Sequence, residues 1–370
     1  MSVSLGYGVT WDDNVFRVPE GAPDPQASRG IAGKSDRSST ASVGLHVNLP
    51  FSMQRFLLDA TRAAVRYEKF SSLDQDPFSY RGAWQWQVTP RISGIFSANR
   101  GETRVDIEDV EGRRRVDQST TTLAATAAAR LWSGWHVLGG VSESETKYSP
   151  ASFERPNTRQ TTADAGLRYV AQSGSLVSLT RRTTHGTETI TDAAILGGSD
   201  FTQDDTELSA TWIATGHSTL TARVTHVDRR NELLPQRDFS GNTGELRHAW
   251  RATGKLNVDW WLARAVTPYN LNLQSTSRVD DTIGAALLWR ATERISVRSS
   301  ASRQINRFGQ ISTSFEARRD VADTVEVGAS WAPQRNISFD ARLRHEERDS
   351  TDPLQIYDAN TASLTFALRF

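Results

Sequence analysis

A tryptophan beside a tight turn recurs about every forty residues along this chain, and no other feature constrains its fold as strongly. Short breaks fall at Leu49 to Met53, Thr89-Pro90-Arg91, Ser133-Gly134, Ser173-Gly174, Thr215-Gly216, Thr253-Gly254, Ala291-Thr292-Glu293 and Pro333-Gln334. Trp86, Trp132, Trp212, Trp250, Trp289 and Trp331 come a few residues before a break, Trp135 and Trp260 just after one. Longer polar connections lie around residues 14–34, 70–77, 106–116, 149–159, 186–202, 230–242, 270–278, 307–319 and 348–357. Two strands with two connections occupy about forty residues, so the period is that of a hairpin array. Eight short turns alternating with nine long connections predict eighteen strands, or sixteen if one hairpin is a folded loop. The predicted fold is all-β: one transmembrane antiparallel up-and-down barrel over residues 1–370, with no separate soluble domain.

Alternation supports this. Leu246, His248 and Trp250 oppose Glu245, Arg247 and Arg251; Ile337, Phe339, Ala341 and Leu343 oppose Ser338, Asp340, Arg342 and Arg344. A period of two with one polar face means lipid outside and water inside. The final stretch, Ser363 to Phe370, alternates without a break, so Phe370 is read as the barrel-closing residue, presented with its strand to the barrel-assembly machinery. Indole rings prefer the membrane interface, so Trp86, Trp212, Trp250, Trp289 and Trp331 are expected in one lipid-facing belt near the periplasmic side. Short turns are periplasmic and long loops extracellular in this class. Two stretches break the pattern, Arg55 to Tyr67 and Lys255 to Leu273. An arginine facing lipid at mid-membrane costs about 2–4 kcal/mol. A β-bulge is therefore expected to reset the register near Arg62 and near Arg264.

Composition agrees with a barrel in the outer membrane of a Gram-negative bacterium. Hydrophobic content of 37% is too low for a helical membrane protein, and no run approaches the roughly 18 apolar residues a spanning helix needs. Cysteine is absent, as suits an oxidising compartment. Met1-Ser2-Val3 runs straight into an alternating strand, so residue 1 is read as an initiator ahead of a mature chain whose signal peptide is gone. With 43 basic and 43 acidic residues, net charge gives no pull toward nucleic acid. Only Lys34, Lys69, Lys147 and Lys255 are lysines; the other cations are arginine, which grips carboxylates with two prongs.

No catalytic or cofactor pattern emerges. His46, His136, His185, His217, His226, His248 and His345 are scattered without ligand spacing. Gly139-Gly140 reads as a strand kink and Gly197-Gly198 as loop flexibility, neither as a phosphate loop. Asp204-Asp205 and Asp280-Asp281 read as solvated strand ends, with Ca²⁺ binding as the alternative. The informative polar set is the inward one: Arg81, Arg168, Arg223, Arg247, Arg251, Arg298, Arg342 and Arg344, with Glu245 and Asp340 among the interleaved acids. It stiffens the wall as cross-strand ion pairs, or contacts an anionic, hydroxyl-rich cargo, or both. The arginines are expected to outnumber acids along one arc, giving mild anion preference. Residues 14–34, with Phe16, Ile31 and three prolines, are expected to narrow or cap the extracellular mouth.

Trp11-Asp12-Asp13-Asn14-Val15-Phe16-Arg17-Val18-Pro19 followed by Ser35-Asp36-Arg37 resembles the first hairpin of EpsL-type outer-membrane β-barrels of exopolysaccharide operons, a putative-porin family. The resemblance covers roughly residues 5–40; beyond it the likeness is general barrel patterning. It implies export of a secreted polysaccharide without enzymatic activity. It also implies a periplasmic polysaccharide-export protein and an inner-membrane chain-length regulator as partners. The competing expectations are a passive general or small-solute porin, an outer-membrane enzyme acting on lipid or polysaccharide, and a structural or adhesive barrel.

Overall fold

The computed structural model describes residues 1–105, 107, 115–149, 156–189, 199–233, 235–268, 275–310 and 317–370. Among them, eighteen antiparallel strands form one closed sheet. The first nine are β1 (Ser2–Asp12), β2 (Asp36–Phe51), β3 (Gln54–Tyr67), β4 (Phe78–Thr89), β5 (Ile92–Arg104), β6 (Asp117–Arg130), β7 (Trp135–Ser149), β8 (Asn157–Val170) and β9 (Leu176–Thr189). The second nine are β10 (Ser199–Thr215), β11 (Ser218–Asn231), β12 (Phe239–Arg251), β13 (Leu256–Pro268), β14 (Ser275–Arg290), β15 (Ile295–Gln310), β16 (Arg319–Gln334), β17 (Ile337–Ser350) and β18 (Tyr357–Arg369). Each strand pairs with its neighbour in sequence, and β1 closes on β18 from Ser4↔Arg369 to Asp12↔Thr361. The amide and carbonyl of Phe370 bond those of Val3 at 2.8 and 3.1 Å, completing the seam.

The turns explain themselves locally. Ser133 and Gly134 both have positive φ, 38° and 86°, between Trp132 and Trp135, whose backbone groups bond at 2.7 Å. Two central left-handed residues match the right-handed strand twist, and glycine accepts that conformation without strain. The predicted connections around 106–116, 149–159, 186–202, 230–242, 270–278 and 307–319 lie wholly or partly outside the described residues, as does Gly197-Gly198.

Burial is inverted relative to a soluble protein. Leu208, Val224, Ile283, Leu343 and Leu364 are more than half exposed and form the outward face. Trp212, Trp250, Trp289 and Trp331 lie on that face close to the short turns. Trp86 shares it, but its indole lies across Gly94, where an added Cβ would come within 2.3 Å of the ring. Trp261 points the other way and covers Gly284 in the lumen at a similarly close approach, 2.2 Å.

Two expectations are corrected. No register shift occurs in the pairings of β3 or β13, so no bulge turns Arg62 or Arg264 inward. Both face outward, in the half of their strands nearer the long loops. There Arg264 meets Asp281 at 2.6 Å, and Arg303 meets Asp323 at 2.7 Å. The cost of a lipid-facing arginine applies at the midplane and fades toward the interface, so alternation continues unbroken. Gly139-Gly140 is not a kink either: β7 keeps its register with β6 and β8 throughout. Gly140 makes room for Asp164, whose Oδ1 would stand 2.6 Å from an added Cβ.

This topology predicts a clean split in fluorescence. A variant retaining only Trp289 should be quenched by lipids brominated near the headgroup and not by aqueous iodide. One retaining only Trp261 should show the reverse. Equal quenching of both by lipid would refute the assigned faces.

Candidate functional site

The lumen carries two kinds of wall. On β5 to β8 it is largely neutral and hydroxylated, with Thr120 and Thr146 bonded at 3.2 Å, Thr122 and Ser144 at 3.0 Å, and Thr162 bonded to Thr184 of the adjoining β9 at 2.9 Å. From β9 onward it is charged. Arg223 meets Glu245 at 2.6 Å, Arg247 meets Asp259 at 3.4 Å, Arg342 meets Glu326 at 3.3 Å and Arg344 meets Glu346 at 3.0 Å. Arg81 stands in register with Asp59 on β3. Arg168 donates to Ser178 Oγ at 3.3 Å, and Arg251 to the Gly216 carbonyl at 2.7 Å. Arg298 lies between Leu288 and Gly328, and Asp340 between Ser330 and Thr365. Alternation thus places all ten predicted lumen residues on one face. The arginine arc is more neutralised than the sequence suggests, because Asp259 and Glu326 reach across from neighbouring strands.

At the long-loop end the first connection folds onto the inner wall. Asn14 bonds the Val18 carbonyl at 2.8 Å and the Asp358 carbonyl at 2.9 Å, and its Oδ1 accepts the Val18 amide at 3.0 Å. Arg17 takes a left-handed φ of 52°, and its guanidinium meets Asp12 at 2.9 Å and Glu346 of β17 at 3.9 Å. This turn drives Val15, Phe16 and Val18 into a buried cluster with Phe70, Leu73 and Ile107, with Phe16 edge-on to Phe70 at 4.8 Å. Asp36 is only 3% exposed and accepts the amides of Lys69 at 3.1 Å and Phe70 at 2.9 Å, pinning the second long connection to the first. The motif Trp11 to Pro19 with Ser35 to Arg37 is therefore a clamp that holds two loops in the mouth.

A cavity of about 650 Å³ adjoins this clamp, walled by Asp12, Arg17, Tyr67, Arg104, Gln304 and Arg344. A second, of about 330 Å³, lies against β9 to β13 beside Arg182, Asp205, Arg223 and Arg229. Above it Arg229 stacks on Phe201 at 3.6 Å and bonds Glu188 at 2.8 Å, which also holds Arg237 of the β11–β12 connection at 3.3 Å. Folded loops thus line the mouth from two opposite arcs. Sequence reading named Asp36 only within the motif Ser35 to Arg37, with no role for its carboxylate, and missed Arg229 and Glu188, whose pairing across strands no local pattern announces. Among the described residues no group of three or more His, Cys, Asp or Glu could hold a metal ion.

No protein-family model and no curated protein matches the chain. Solved structures do. The chain is similar to OpdK of Pseudomonas aeruginosa, solved with vanillate, at a TM-score of 0.53 and 11% identity, covering 100% of this chain and 98% of that one. It is similar to OccK9 (OpdG) of the same organism at 0.53 and 12%, covering 100% and 98%. The siderophore receptor PirA, also from Pseudomonas aeruginosa, matches at 0.50 and 10%, covering 99% of this chain and 80% of that one. The chain has the porin-like barrel fold of Gram-negative outer-membrane proteins.

The clamp makes the mouth testable. Deleting residues 18–30, or replacing Phe16 by Ala at a loss of about 3 kcal/mol of packing, should raise single-channel conductance in planar bilayers. Unchanged conductance in both would mean the loop does not constrict the path.

Proposed function

We propose that this chain is an outer-membrane channel exporting an exopolysaccharide, acidic or acyl-decorated, with no catalytic step of its own. The observation that carries the reading is the clamp: the residues resembling EpsL-type barrels are those that build the folded mouth. The neutral wall adds support. Rows of Ser and Thr present hydroxyls to a polymer that is itself hydroxyl-rich, and such exchangeable hydrogen bonds let it slide without sticking. Charged pairs opposite add orientation, since a guanidinium can grip a carboxylate with two bonds. Eighteen strands leave an aqueous channel rather than a filled core. In this reading the polymer arrives through a periplasmic polysaccharide-export protein, with an inner-membrane chain-length regulator upstream. The barrel itself enters the bilayer through the barrel-assembly machinery by way of β18.

Deleting the gene should abolish secreted polymer and leave it accumulating in the periplasm, with intact protein restoring secretion. Normal secretion in the deletion strain would end the export reading. A second reading, a small-solute porin, draws on the fold likeness to OpdK solved with vanillate. Loss of vanillate uptake with normal polymer secretion in the same strain would put it in place of the first.

A further inference from the structure

Cations crowd one end of this barrel. Alternation in register puts Arg55, Arg130 and Arg168 on the lumen face of β3, β6 and β8, within four residues of a short turn. Arg251, Arg290 and Arg298 do the same on β12, β14 and β15, and Arg369 at the end of β18 stands beside Asn336 of the β16–β17 turn, its amide bonding that carbonyl at 2.8 Å. The short turns and their edges add Arg91, Lys255, Arg294 and Arg335. Against these eleven cations the same zone holds three acids: Glu293, Asp340, and Asp259, which Arg247 already engages. The whole chain is balanced at 43 and 43, so the remainder carries the matching acidic surplus of eight.

The pairing differs as sharply as the count. Toward the long loops arginines are neutralised, as in Arg223–Glu245, Arg303–Asp323 and Arg344–Glu346. Among the described residues none of the eleven cations forms an ion pair. Their side-chain partners are neutral acceptors: Asn48 for Arg55, Ser178 for Arg168, Gly216 for Arg251, Ala291 for Lys255 and Ser2 for Arg369. All are exposed except the half-buried Arg168.

We propose that this ring of lumen-facing arginines is an entry site that captures a polyanionic, carboxylate-bearing chain at the short-turn, periplasmic mouth. Exposed pairs higher up cancel their own fields, whereas bare guanidiniums in a low-dielectric ring focus theirs along the axis. A carboxylate entering there exchanges water for two-pronged contacts. Further along, paired charges such as Arg223–Glu245 and Arg344–Glu346 offer no comparable field, so capture is confined to one end of the path. This rests on the export reading for its biological sense, but not for the anion site itself.

The test is sided block of ion current through the full-length protein in a planar bilayer, its orientation fixed by a protease-cleavable tag in a long loop. Polygalacturonate oligomers added on the short-turn side should block at concentrations at least tenfold lower than on the other side. A neutral dextrin should show no such difference, and raising salt from 0.1 to 1 M should weaken the block, because the screening length falls from about 10 to about 3 Å. The triple variant Arg251→Gln, Arg290→Gln, Arg298→Gln should lose the sidedness, and the corresponding triple Lys variant should keep it. All three positions are exposed, and the heat-modifiable gel mobility of a folded barrel confirms assembly. Equal block from both sides, equal block by dextrin, or a triple Gln variant indistinguishable from wild type would each overturn the site. If sided block holds while gene deletion leaves secretion intact, the site stands and the export reading fails. If deletion abolishes secretion but block is symmetric, the export reading stands and the site fails.

Discussion

Everything in this structure depends on one requirement: in hydrocarbon every backbone amide and carbonyl must find its partner within the sheet. A sheet with an open edge cannot meet it, so β1 must close on β18, and Phe370 must continue the ladder to Val3. Closure then dictates the rest. Strands must alternate, because one face meets lipid and the other water. The apolar residues end up outside, and among the described residues the buried apolar clusters lie at the connections and the strand ends beside them, around Phe16 and around Val116. The barrel wall needs no packed core because its ladder is its stability.

That requirement also explains what could be read from the sequence. Turn positions, strand number and inward faces were legible because period two and the tryptophan spacing are local signals that closure enforces. The reading failed where depth mattered. Arg62 and Arg264 look misplaced if every outward position is taken as mid-membrane; at the height where Arg264 meets Asp281 they are ordinary. Unbroken alternation from Trp260 would have placed Asp259 and Trp261 in the lumen without a bulge. Ion-pair partners were illegible for another reason: register decides them. Arg247 takes Asp259 from β13 while Glu245, two residues away, goes to Arg223 on β11.

The loop clamp was half legible. Asn14 and the prolines announced a shaped connection, since Asx side chains cap turns and proline limits freedom. What could not be seen was Asp36 reaching the amides of Lys69 and Phe70 across a whole hairpin. That contact needs the first two long connections to stand side by side, which follows from β2 and β3 being adjacent, not from any local pattern. The resemblance to EpsL-type barrels acquires physical content here. The stretch that carries the resemblance contains Asp36, Asn14 and Phe16, the buried carboxylate, the bridging amide and the aromatic of the clamp.

The two ends of the barrel therefore use different physics. At the long-loop end, apolar packing and partly buried charge pairs hold loops in place, and such short-ranged contacts are screened less by salt than exposed charges are. At the short-turn end, unpaired cations act through space, and their reach shrinks as ions screen them. A chain with balanced formal charge can carry both only by separating its charges along the barrel axis. The separation costs little fold stability, because the arginines stand in water rather than in lipid, where their hydration offsets mutual repulsion. It also keeps selection apart from constriction. Residues that shape the mouth, Phe16 and Asp36, can vary in packing without altering the field at the entrance. Arginines at the entrance can vary without unseating a loop. Two independent controls on one path are what the proposed export of a long, flexible polymer would call for.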